Sequence, residues 1–158
     1  MNSGFALLLA FSIGVTAGLR SLTAPAVVAW AAHIGCINLH GSALAFMGSV
    51  WAAAIFTVLA LVELLVDQLP STPPRTAPVG LSARIVTGAL TGACLGIAGG
   101  ATLWLGALAG AVGGIAGGFA GYHARVGLVR KLRAPDLAIA IPEDLIAIGL
   151  GLLLVTRF

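Results

Sequence analysis

The chain has 158 residues, of which 59% are hydrophobic and only 8% charged, and its formal net charge is +3. A soluble domain carries about 25% charged residues, so a single water-soluble core of this length cannot hide the apolar surface and lipid is expected to cover it. The basic residues lie in short stretches between apolar runs, which suits orientation in a membrane rather than a nucleic-acid footprint, and residues 1–158 read as one transmembrane domain with no room for a soluble module.

Met1-Asn2-Ser3-Gly4 leads into the first apolar run without a Lys or Arg. A signal peptide wants a basic start, so the first run is expected to be retained, although Ala29-Trp30-Ala31 resembles a cleavage site. Six apolar segments follow in order: 4–19, 24–40, 43–68, 80–100, 101–122 and 136–156. A span needs about 20 residues, within a range of about 17–25. The first two are therefore short, and the third is long enough to tilt. Pro25, Pro78 and Pro135 stand near the starts of the even-numbered segments, where a missing N–H is harmless.

With six spans and the N-terminus outside, the inner loops hold Arg20, then Arg75 and Arg84, then Arg125, Arg130, Lys131 and Arg133. Seven of the eight basic residues then face the cytoplasm, and only Arg157 lies outside. This predicts a multi-pass protein of the inner (plasma) membrane. In the alternative, residues 20–40 re-enter instead of spanning, and Arg20 is stranded outside or at membrane depth. Three spans per half run in opposite senses, which allows a 3+3 inverted repeat of the kind that transporters use. A basic residue and then a proline precede segments 2, 4 and 6, at Arg20 to Pro25, Arg75 to Pro78 and Arg133-Ala-Pro135. That recurrence also suits three helical hairpins, or simply helix starts after inner loops.

Segments 4 and 5 carry glycine at every fourth position: Gly88, Gly92, Gly96, Gly100, then Gly106, Gly110, Gly114, Gly118. In water this makes a poor helix, since each interior glycine costs about 1 kcal/mol relative to alanine. In a bilayer the backbone must bond to itself, so helix is forced, and small-xxx-small stripes let helices touch closely. Glycine-zipper packing is therefore expected. Gly113, Gly117 and Gly121 form a second stripe, and Gly14 and Gly18 a short copy in segment 1. Two stripes exceed what one intramolecular contact uses, so a homo-oligomer is expected as well.

Twelve of the thirteen charged residues crowd the inner side on this topology. Glu63 and Asp67 lie four apart, hence on one helical face. Glu143 and Asp144 follow Pro142, a helix-start pattern that places negative charge at the positive end of a helix. If segment 6 starts near Asp136 instead, Pro142 interrupts it and the two carboxylates sit about 10 Å deep. Charge at that depth faces a cavity or a partner, and Arg20 and Arg84 are the candidate partners. Four acids together suit a hard cation or a proton; the structural reading is a set of interhelical ion pairs. Arg130-Lys131-Arg133 reads as a topology signal or an anionic-lipid contact.

His33, Cys36 and His40 have offsets that place three ligands along a helix, but Gly35 and Asn38 favour an interfacial loop and no fourth ligand is evident. The metal assignment stays open, and no cofactor is expected. Cys36 and Cys94 show no paired spacing. Trp30, Trp51, Trp104 and Tyr122 fall where interfacial belts would have them.

Several stretches together resemble a family of small bacterial integral membrane proteins known as a domain of unknown function. They are Gly18-Leu-Arg-Ser-Leu-Thr-Ala-Pro25, Glu63-Leu-Leu-Val-Asp67-Gln-Leu-Pro-Ser-Thr-Pro-Pro-Arg75-Thr, Ala83-Arg84, Gly121-Tyr-His-Ala-Arg125 and Glu143-Asp144-Leu-Ile-Ala-Ile-Gly149. The resemblance covers nearly the whole chain and is most specific from Glu63 to Thr76. It implies a polytopic membrane protein and supplies no catalytic residue.

The expected fold is an all-α, polytopic transmembrane helix bundle. The first expected function is a small transporter or channel for an ion or small solute, with a cytoplasm-facing acidic site of Glu63, Asp67, Glu143 and Asp144 beside Arg20 and Arg84. The alternative is a non-transporting membrane subunit or lipid-binding scaffold, with membrane lipids as partners. An enzyme is not expected, because no HExxH, GxSxG or comparable dyad is present.

Overall fold

A computed structural model describes residues 2–66, 77–132 and 136–158. The described residues form six α-helices and no strand: α1 (Ser3–Leu19), α2 (Thr23–His33), α3 (Val50–Val66), α4 (Pro78–Ala98), α5 (Leu103–Leu132) and α6 (Asp136–Val155). Two of them, α4 and α5, are long and apolar enough to cross a membrane. Helices α1, α4 and α6 fall close to the expected segments. Segment 24–40 is helical only to His33, in keeping with the loop expected around Gly35 and Asn38, and segment 43–68 is α-helical only from Val50. Gly35 and Gly41 take φ of +82° and +75°, left-handed values that only glycine adopts without strain. The connecting residues turn back, burying Ile37, Leu39 and Met47 against Leu9, Ile13, Val28 and Leu95. At the other extreme α5 runs ten residues past the expected end at 122, so Arg125, Arg130 and Lys131 are helical rather than in a loop.

The centre of the bundle is a layer of α1, α5 and α4. A Cβ added to Gly88 would lie 2.6 Å from the Gly110 carbonyl oxygen, and one added to Gly92 would lie 2.5 Å from that of Gly106. These two helices therefore meet backbone to backbone, running in opposite directions. On another side of α5, Gly14 lies on Gly110, Gly18 lies on Gly114 and Gly117, and Gly113 and Gly117 meet Phe11 and Val15. Helices α1 and α5 thus run in the same direction. Both glycine stripes of α5 face neighbours in the same chain, which removes the surplus on which the expectation of a homo-oligomer rests. Gly100 lies beyond α4 with φ +79° and open space where a Cβ would stand, so it closes the turn into α5 instead of packing.

Helices α2, α3 and α6 lie outside this layer. Trp30 Nε1 donates to Thr57 Oγ1 at 2.9 Å and Glu63 meets Ser21, so α2 and α3 are antiparallel. Gly151 packs on Val27 while Asp144 meets Arg20, so α2 and α6 run together. The ends of α1 and α3, the early parts of α2, α4 and α6, and the later part of α5 therefore share one end of the bundle. Large apolar side chains cover the outside, among them Trp51 (75% exposed), Trp104 (76%) and Leu65 (68%).

Candidate functional site

The break between α1 and α2 at residues 20–22 gathers the charged side chains. Leu22, at the cap position of α2, offers no capping side chain, and the helix has no acid in its first turn. A helix start leaves backbone N–H groups without partners. Glu63 of α3 supplies the acceptor from outside. Its Oε1 accepts from Ser21 N at 2.8 Å and from the Ser21 hydroxyl, and its Oε2 accepts from Leu22 N at 2.8 Å. A carboxylate here also meets the positive end of the α2 dipole. Replacing Glu63 with alanine is expected to cost about 2 kcal/mol, the upper end for removing the acceptor that caps a helix start. Glutamine, keeping one acceptor, should cost less. Thermal unfolding in detergent, with amide exchange at the start of α2, measures both.

Arg20 is completely buried, and its Nε and Nη2 both reach Asp144 Oδ1. Asp144 comes from the ninth position of α6, which continues through Pro142 from Asp136. Pro142 therefore stands inside a helix and does not start one. Proline there leaves the carbonyl four residues back without its helical donor. The neighbouring Glu143 turns to α5, where Arg125 Nη1 lies 3.6 Å from its Oε2.

Arg84, near the start of α4 and 4% exposed, engages main-chain carbonyls. Its Nε donates to the Gly18 carbonyl at 2.9 Å and its Nη1 to the Gly80 carbonyl at 2.8 Å. A cation over the last turn of α1 satisfies an orphan carbonyl and complements the negative helix end. The glycines of α5 make room for it: a Cβ on Gly114 would lie 2.5 Å from the Arg84 carbonyl oxygen, and one on Gly118 would lie 3.4 Å from Arg84 Cδ.

Of the six expected site residues, then, Arg20, Glu63 and Asp144 meet around one three-residue turn. Arg84 reaches the same turn through the Gly18 carbonyl, Glu143 pairs with α5, and Asp67 lies outside the described residues. Sequence patterns do not single out Ser21 as a partner of the site, nor Arg125. The signal for Ser21 is an uncapped helix start just before Pro25; Arg125 requires α5 to be read as helix past residue 122. Among the described residues, no group of three or more His, Cys, Asp or Glu is placed to hold a metal ion. His33 Nδ1 is 3.1 Å from the Gly48 carbonyl, while Cys36 and His40 are exposed. A cleft of about 280 Å³ between α2, α3 and α6 is lined by residues including Val27, Trp30, Leu61, Leu64 and Leu152. Its walls are almost wholly apolar and offer a hydrated ion nothing.

Fold and site together define an all-α protein with two helices able to cross a membrane and a polar lock at one end. The chain belongs to the family described as Domain of unknown function (DUF4126), which matches residues 7–156. No curated protein and no solved structure matches it.

Proposed function

We propose that this chain is a multi-pass inner-membrane protein of six membrane segments, held by glycine-zipper contacts, that acts as a non-transporting helical subunit or lipid-binding scaffold. The observation that carries this reading is that Glu63, Asp144 and Glu143 each reach across to another helix or to its start. Glu63 serves the start of α2, Asp144 serves Arg20, and Glu143 serves Arg125. Carboxylates committed in this way tie helices together, whereas a cation site turns several carboxylate oxygens on one point. The apolar exterior and the direction of successive helices support the six-segment topology. Helix α2, at eleven residues, rises only about 17 Å, so its segment crosses with the help of the chain that follows it. The pairing of helices does not favour a 3+3 inverted repeat: α4 lies along α5, whereas its counterpart α1 makes far less contact with α2.

The competing reading is transport of an ion or small solute past the buried Arg20–Asp144 pair, since ionised groups inside a membrane bundle commonly mark a pathway. Reconstituted vesicles separate the two. Flux of protons, sodium, potassium and small anions equal to that of protein-free vesicles supports the scaffold. Protein-dependent flux above that level establishes transport and overturns it.

A further inference from the structure

We propose that the last ten residues of α5 form a contact for anionic phospholipid headgroups. The inference rests on the membrane placement proposed above. Helix α5 has 30 residues and is therefore about 45 Å long, against a hydrocarbon layer of about 30 Å. Residues 103–122 are enough to cross it, which leaves 123–132 beyond it. They emerge at the charged end of the bundle, because Gly114 and Gly118 lie beside Arg84 and Arg125 faces Glu143.

The overhang has two sides. At 3.6 residues per turn, His123, Gly127, Arg130 and Lys131 share one side, and Arg125 lies on the opposite side. Its ion pair with Glu143 fixes that opposite side against α6. His123, Arg130 and Lys131 are not buried, and the flanking Val126 (49%) and Leu128 (43%) are exposed. A cationic face bordered by apolar side chains, just outside the hydrocarbon, matches the layer where acidic headgroups lie over acyl chains. Arginine and lysine donors suit the phosphate oxygens, and the leaflet supplies the charge complement.

The protein is reconstituted in vesicles of equal phosphatidylglycerol and phosphatidylcholine, released, and its retained lipids are counted by native mass spectrometry. The intact chain should retain phosphatidylglycerol preferentially. Arg130→Gln and Lys131→Gln should each lower that preference about fivefold, while Arg157→Gln should not change it. Equal retention of the two lipids by the intact chain, or a preference unmoved by the double variant, overturns the proposal. So does binding to soluble heparin as tight as to phosphatidylglycerol vesicles. A carbonate wash distinguishes the levels: wild-type protein released by the wash refutes the membrane reading itself, whereas retained protein without lipid preference refutes only the headgroup contact.

Discussion

Gly110→Ala should strongly destabilise the folded protein, while Gly127→Ala should leave it intact. Both positions are helical residues of α5, so local propensity favours alanine at each by about 1 kcal/mol. Their surroundings differ. A Cβ on Gly110 would lie 2.8 Å from Gly92 Cα and closer still to the Gly88 carbonyl oxygen, and Gly14 presses on Gly110 from α1. Every one of these obstacles is backbone, which cannot turn aside as a side chain can. Overpacking of a core commonly costs about 1–3 kcal/mol, and the value here should lie at or above the top of that range. Nothing stands within 4 Å of a Cβ on Gly127. Helix content and the monodisperse fraction in mild detergent measure the contrast. By the same geometry, Gly110→Leu or Gly114→Leu should make each chain lose its central layer, whereas a stripe reserved for a second copy would leave folded monomers. Equal tolerance of alanine at 110 and 127 would contradict the close approach of α4 and α5.

Which parts of this architecture can be read from sequence depends on where the partner of each group lies. Helices α1, α4 and α6 are bounded by Arg20, Pro78 and Gly100, and Asp136, local signals that end or begin an apolar run. Residues 34–40 look like more of the same run because Ile34, Ile37 and Leu39 are apolar. Composition does not separate a buried turn from a buried helix; only Gly35, Asn38 and Gly41 mark the difference. The end of α5 is hidden for the converse reason. Basic residues suggest a loop, yet arginine and lysine are good helix formers, and Gly127 alone does not stop the helix. In the site, a buried Arg20 seeking an acid is legible from its place between apolar runs. The choice of Asp144 over Glu143 is not, because it depends on which side α6 turns toward residue 20. Glu63 is the least legible. Its partners include two backbone N–H groups, and every residue except proline carries one, so no side-chain pattern announces them.

Asp144→Asn is expected to destabilise the protein by about 3 kcal/mol, the lower end of the usual cost of removing one partner of a buried ion pair. Arg20 is 0% exposed and approaches Asp144 through both Nε and Nη2. With the carboxylate neutralised, the buried guanidinium keeps its charge, because arginine does not lose its proton in proteins, and loses the attraction of Asp144. Lysine at position 20 should fail as well, since it offers a point charge in place of the planar fork. Joint replacement, Arg20→Met with Asp144→Leu, should recover most of the loss, because an apolar pair of similar bulk commonly equals or exceeds a buried ion pair. Glu143→Gln should cost much less. Its contact with Arg125 is looser at 3.6 Å, and Arg125 is not fully buried. Unfolding of the four variants by graded denaturing detergent gives the ordering, and adding Arg20→Met and Asp144→Leu singly gives the coupling between positions 20 and 144. A stable double variant that still assembles normally would assign the pair to packing alone. One that is stable yet loses a measured flux would assign Arg20 and Asp144 to a conduction path, and a loss at Asp144 no larger than at Glu143 would contradict the complete burial of the Arg20 guanidinium.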